Sequence, residues 1–297
     1  MLYAGFVVSL LLVAMACAWF ELTPMASVVD TRLAALIAGA TAAALAGWRL
    51  RRSRRVGWWC ALLLGLGTAA VAAVLAFGLV REDDVRFQSN GARLAGTLFL
   101  PRGSGPYPAV VFIHGAGREV RREFEYHARL FARHGIAGFV YDKRGAGESG
   151  GSTYDADYFG YASDAAAAIR YLRSRQDIAG PCVGIYGHSE GGWVASIVAS
   201  QAAPDVRFVI VTSTTDLSPA RQVLFETGAR AGVGQAVELQ KRVLQYQRSG
   251  TADPALASDL RAAARQPWFA SAELPDQLYP IEEYAWWRRV MDFDAPS

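Results

Sequence analysis

Pro181-Cys182-Val183-Gly184-Ile185-Tyr186-Gly187-His188-Ser189-Glu190-Gly191-Gly192-Trp193 is the stretch on which the fold turns. Cys182 to Tyr186 is a short apolar run with the length of a buried strand. Gly187 to Gly191 spells G-x-S-x-G, and the helix-compatible run Gly192 to Gln201 follows at once. Strand, G-x-S-x-G and helix in that order make a turn that lifts its serine above the end of a sheet. Such a turn strains the serine backbone and leaves room only for small neighbours, which Gly187 and Gly191 supply. Ser189 is therefore the candidate nucleophile. The Glu190 N–H, at a helix start, is placed to meet an oxyanion.

The chain before this stretch alternates strands and helices. Val85–Ser89 and Arg93–Leu100 read as strands joined by Asn90-Gly91, a hairpin turn pair. Ala109–Ile113 is a continuous apolar run suited to a central parallel strand, and it ends in His114-Gly115-Ala116-Gly117. Apolar residues from Phe124 to His134 recur at helical spacing, with Gly135 as the cap. Ala137–Tyr141 is the next strand and runs into Asp142-Lys143-Arg144-Gly145-Ala146-Gly147-Glu148-Ser149. Asp164–Arg175 reads as a helix and Phe208–Thr212 as one more apolar strand. The alternation predicts a mostly parallel α/β sheet. From Asp216 onward the pattern is helical, over 223–231, 235–247 and 254–265, with many aromatic residues (Trp268, Phe269, Tyr279, Tyr284, Trp286, Trp287).

With His-Gly-Ala-Gly, Tyr-Asp-Lys-Arg-Gly-Ala-Gly-Glu-Ser and Gly-His-Ser-Glu-Gly-Gly in this order, the chain resembles the α/β-hydrolase superfamily, in its serine esterase and peptidase-like branch with a helical cap. The resemblance spans roughly residues 85–212. It implies that Ser189 attacks an acyl carbonyl and that the N–H groups of Ala116 and Glu190 form the oxyanion hole. It gives His114, Gly115, Gly187 and Gly191 structural parts, and has Asp142 and Arg144 brace their turn by hydrogen bonds. It assigns the helices after Asp216 to a cap over the core.

The resemblance also sets a requirement that the sequence does not meet. In this fold the acid and the histidine follow the nucleophile. All four histidines, His114, His127, His134 and His188, stand before Ser189. The expectation is an α/β-hydrolase core lacking its last two strands, in a truncated chain, with Asp292 and Asp294 near the point of re-entry. None of the four is a ready substitute. His188 adjoins the nucleophile across a turn that points neighbours apart, His114 belongs to the loop after its strand, and His127 and His134 lie on a flanking helix. The strand Phe208–Thr212 is then expected at an open sheet edge, with poor solubility.

The first eighty residues differ in kind. They hold six arginines, no lysine and two acids, so the basic balance of the whole chain belongs to them; beyond position 80 the count is 24 basic against 25 acidic residues. That balance gives no support to nucleic-acid binding by the remainder, and no nucleic-acid partner is expected. Residues 2–20, 33–48 and 56–80 read as three transmembrane helices. Ala35, Gly39, Ala43 and Gly47 recur every fourth residue, which reads equally as a face for helix–helix association in the lipid bilayer or as plain alanine richness. Arg49, Arg51, Arg52, Arg54 and Arg55 place the second connection in the cytoplasm. The expected location is an inner membrane, multi-pass, with the domain after residue 80 outside the cytoplasm. The alternatives for residues 2–20 are a signal peptide or a lipoprotein site at Cys17.

Three domains follow: a membrane domain over 1–80, a hydrolase core over 81–215 and a cap over 216–297. Cys17, Cys60 and Cys182 imply no disulfide, and Cys182 is expected as a small buried residue. No His or Cys pair has metal-ligand spacing, and neither a metal nor a cofactor is expected. The partner implied is a small acyl substrate, a carboxylic ester or a related compound. The competing readings are a membrane-tethered binding protein that keeps the pocket without the chemistry, and an assembly module built on the membrane helices.

Overall fold

The computed structural model describes residues 80–202 and 205–295. The three expected membrane spans lie outside these residues, except for the last residue of the third. That residue, Val80, opens strand β1 (Val80–Ser89), so the strand begins five positions before its expected start. Among the described residues no helix is long and apolar enough to cross a membrane.

β1 turns back into β2 (Ala92–Pro101) through Asn90 and Gly91, both at positive φ, and Ser89 pairs with Ala92. That geometry is why Asn-Gly stands there: the two-residue turn that suits twisted strands needs both residues left-handed. β3 (Tyr107–Ile113), β4 (Ala137–Tyr141), β5 (Ile178–His188) and β6 (Val209–Thr212) complete one sheet in the order β1-β2-β4-β3-β5-β6. β2 is antiparallel to both its neighbours; β4, β3, β5 and β6 run parallel. β3 from Ala109 onward and the whole of β4 are buried on both faces, which explains their unbroken apolar sequences.

Helices cover both faces. On one, α1 (Glu125–Arg133) packs on Phe99, Val110, Phe112 and Val140. Gly138 permits this approach, since a Cβ there would lie 2.6 Å from Ala128 Cα. On the other, α2 (Tyr158–Arg173) and α3 (Glu190–Gln201) pack on Leu94, Leu98, Val111, Phe139 and Ile185. α2 starts six residues before its expected position. The Asp157 side chain accepts the Gly160 N–H at 3.0 Å and caps it, a start signal that the aromatic residues after it obscure.

The expectation of a buried Cys182 is wrong; the residue is exposed. β3 pairs Tyr107 with Ile178 and then Ala109 with Val183, so four residues of β5 bulge out between these contacts and carry Cys182 with them.

After β6 come α4 (Pro219–Ala231), α5 (Gly234–Ser249), α6 (Leu256–Ala263) and the short α7 (Phe269–Ala272). These enclose a second apolar cluster around Leu239, Val243, Leu256 and Leu260, with Trp268 and Phe269 against it. The last helix, α8 (Ala285–Val290), behaves differently. Val290 joins the main core, and Trp286 donates its indole N–H to Ala156 O at 2.7 Å.

Candidate active site

Ser189 sits between the end of β5 and the start of α3 with φ 52° and ψ −121°. A residue other than glycine holds such a backbone only where its surroundings impose it, at a cost of about 1–3 kcal/mol. Here the surroundings are specific. The Ser189 N–H donates to Thr212 O of β6 at 2.9 Å, and the Gly192 N–H donates to Ser189 O at 2.9 Å. A Cβ on Gly187 would lie 2.3 Å from Gly191 O, and one on Gly191 would lie 2.4 Å from Ile113 O. Both glycines are therefore fixed by backbone meeting backbone, with no side chain free to yield.

The loop after β3 lies against this turn. A Cβ on Gly115 would be 3.5 Å from Ser189 Cβ. Ala116 follows it and is exposed. Neither the Ala116 N–H nor the Glu190 N–H donates to an acceptor among the described residues. Two free amides thus flank a half-buried serine at the carboxyl end of the parallel strands, where α/β sheets bind their ligands.

Beneath the loop is a layer of charge that sequence reasoning missed. Lys143 Nζ donates to Gly115 O at 2.9 Å and to Glu190 Oε1 at 2.5 Å, and lies 4.4 Å from the centre of the Tyr161 ring. Lys143 and Glu190 are only 5% and 2% exposed. Burial raises the Glu190 carboxyl above its usual range, and Lys143 opposes that without reversing it. Glu119 Oε2 accepts the Gly115 N–H at 3.1 Å. Burial pushes the Glu119 carboxyl up, but His114, Lys143 and the Gly115 N–H together bring it below its ordinary value. One compositional signal was available: the whole chain has two lysines, Lys143 and Lys241, among 30 basic residues. Lys241 is exposed, whereas at the buried Lys143 a compact ammonium fits where a guanidinium fork does not.

The Asp142 turn is held by its own side chains. Asp142 accepts the Arg121 N–H at 2.9 Å and the Glu148 N–H at 2.8 Å. Arg144 forms a buried two-point pair with Asp164, at 2.8 and 2.5 Å, and Thr153 donates to Arg144 O at 2.7 Å.

The histidines are occupied elsewhere. His114 Nε2 donates to Tyr141 O at 2.5 Å, and its Nδ1 lies 3.4 Å from Glu119 Oε2, within ion-pair reach but without hydrogen-bond geometry. His188 Nδ1 faces Thr212 Oγ1 at 3.2 Å. His127 packs against Phe124 and Tyr186, and burial lowers its pKa. His134 ends α1 in solvent. Asp292 pairs with Arg248 at the surface. Among the described residues Ser189 Oγ has no hydrogen-bond partner, and no group of His, Cys, Asp and Glu could hold a metal ion.

The Hydrolase_4 family model, Serine aminopeptidase, S33, matches residues 104–278, more than half of the chain. The chain belongs to this family. The match takes in the loop after β3, the Asp142 turn, the Ser189 turn and most of the cap of this serine aminopeptidase family member. Its sheet order and flanking helices are those of an α/β-hydrolase-like fold. Among curated relatives, the peroxisomal succinyl-coenzyme A thioesterase of Mus musculus is 34% identical over 111 residues, 36% of this chain and 24% of the thioesterase. The quorum-quenching protein AidA of Acinetobacter baumannii is 34% identical over 131 residues, 44% of this chain and 42% of AidA. The chain thus spans about a quarter of the thioesterase and under half of AidA. Among solved structures, the α/β hydrolase GrgF from Penicillium sp. sh18 is 19% identical with a TM-score of 0.46, over 72% of this chain and 74% of that one.

Proposed function

We propose that this family member is a serine hydrolase of acyl substrates, carboxylic esters or thioesters, working through an acyl-enzyme. The observation that carries the reading is the strained Ser189 backbone beside two undonated amides. Ser189 Oγ attacks the acyl carbonyl carbon. The oxygen turned negative is received by the N–H groups of Ala116 and Glu190. The bond to the alcohol or thiol then breaks, that group leaves with a proton, and water later splits the Ser189 ester to a carboxylic acid. The thioesterase among the relatives makes a thioester a natural candidate beside a carboxylic ester.

The serine proton is the weak point. With no imidazole at Ser189 Oγ among the described residues, the proton passes to solvent. A serine hydroxyl without a base is a poor nucleophile, and loss of the base in a serine protease costs on the order of a millionfold in turnover. We therefore expect slow acylation by activated esters and negligible turnover of ordinary ones. The same observation favours a second reading, a binding protein that keeps the pocket.

Intact-mass spectrometry after incubation with an activated acyl thioester separates the two. One acyl group per chain, absent in Ser189→Ala, supports the hydrolase. Reversible binding with no covalent mass supports the binding protein. We further place residues 1–80 as a three-span anchor with the hydrolase outside the cytoplasm. Alkaline phosphatase joined after residue 80 should be active there; activity from a cytoplasmic reporter alone would reverse that orientation.

A further inference from the structure

We propose that Lys143 is a positioning residue for the oxyanion hole, tying the loop after β3 to the residue after Ser189 through one buried ammonium. The proposal rests on the reading of Ser189 as the nucleophile and adds to it how the two amides are held.

A peptide unit is planar and trans, so its carbonyl and its N–H point in opposite directions. The carbonyl of Gly115 and the N–H of Ala116 belong to one such unit. Lys143 Nζ draws Gly115 O inward at 2.9 Å, and the Ala116 N–H must then face outward, away from the ammonium. The preceding unit is fixed as well, because Glu119 holds the Gly115 N–H at 3.1 Å. With both polar groups of Gly115 anchored, the orientation of the Ala116 amide has little freedom left, although Ala116 itself is exposed.

The second amide hangs on the same ammonium. Lys143 Nζ is 2.5 Å from Glu190 Oε1, and the Glu190 N–H is the other proposed donor. One tetrahedral ammonium therefore joins the Gly115–Ala116 peptide unit to the Glu190 side chain, and the Tyr161 ring 4.4 Å away gives it a third contact. The Lys143 N–H, donating to Glu119 O at 3.1 Å, ties the turn that carries the ammonium to the loop after β3. The space around this cluster holds no more than one water: a cavity of about 10 Å³ lined by His114, Lys143, Tyr161, Asp164 and Glu190. There is no room for a solvent shell that could replace the ammonium if it were lost.

The test is made on the full chain. Lys143→Met alone strands a buried carboxylate, so the informative variant is Lys143→Met with Glu190→Gln, which leaves a neutral pair. Two readouts are taken. Hydrogen exchange read by mass spectrometry should rise on the order of tenfold in peptides covering residues 114–119, with β3, β4 and β5 unchanged. The rate of Ser189 labelling by a fluorophosphonate should fall about ten- to a hundredfold. Glu190→Gln alone keeps the ammonium on Gly115 O, so it should retain the loop protection. Unchanged exchange in 114–119 overturns the proposal, whatever happens to labelling. A uniform rise across all strands also overturns it, by showing that the pair merely holds the fold together. If the unaltered chain is not labelled at all, the reading of Ser189 fails, while the exchange comparison still decides the role of Lys143.

Discussion

At the scale of single residues, Ser189 concentrates strain and chemistry at one position. Its φ of 52° is unfavourable for any side chain. Ser189→Gly should therefore be more stable than Ser189→Ala by about 1 kcal/mol in chemical denaturation, because glycine alone relaxes at that backbone angle. Equal stabilities would mean that the turn is not strained as described. The parts of this site that could be read from the sequence are those fixed by local sterics. Gly187 and Gly191 are obligatory because backbone oxygens lie where a Cβ would be, and that constraint travels with the G-x-S-x-G spacing. The Lys143–Glu190 pair was not legible. Its members lie 47 residues apart, and only the approach of the turn after β4 to the start of α3 makes them neighbours.

At the scale of elements, two features give tests. β6 is the last strand of the sheet among the described residues, and Val209 and Val211 are 38% and 45% exposed on it. An exposed apolar edge invites pairing with a second copy, and an edge lysine discourages it. Val211→Lys should reduce the associated fraction seen by light scattering; no change would show that this edge is not the adhesive surface. At the opposite end, Arg175 binds Asp177 at 2.8 Å and Asp83 of β1 at 2.7 Å, tying the turn before β5 to the hairpin. The hydrogen bond from Arg175 is the largest influence holding the Asp177 carboxyl below its ordinary 3.8; burial opposes it, and Arg81 adds to the lowering. For a carboxyl whose folded value is depressed, the stabilising contribution is complete above the unfolded value and is lost as pH falls through the folded one. Asp177→Asn should thus lower stability at neutral pH and flatten the fall in stability below about pH 4. An unaltered acid limb would contradict this. Element type was legible wherever period and length agreed, as in β4, whose expected range matches the observed Ala137–Tyr141. It failed for Cys182 because a bulge depends on the partner strand, which a single stretch of sequence does not display.

At the scale of the whole molecule, the described residues form one sheet with helices on both faces and a second apolar cluster among the helices after β6. The sequence reading assigned everything after Asp216 to the cap. The structure divides that region, since Trp286 and Val290 return to the main core. The indole of Trp286 reaches Ala156 O across 130 residues, a contact that periodicity cannot announce. Trp286→Ala should cost about 2 kcal/mol, less than for a fully buried tryptophan, and should make residues 281–295 the first site of limited proteolysis. Protection equal to that of the unaltered chain would place the anchor of this segment elsewhere. Charge is partitioned at the same scale: beyond residue 80 the balance is nearly even, and the basic excess belongs to the first eighty residues.

All of this converges on one hydroxyl, and the most direct measurement is covalent labelling of the full chain by a fluorophosphonate, with the modified peptide mapped by mass spectrometry. The account predicts a single adduct on Ser189, absent in Ser189→Ala. An adduct on another serine, or none after prolonged exposure of the folded protein, would contradict it.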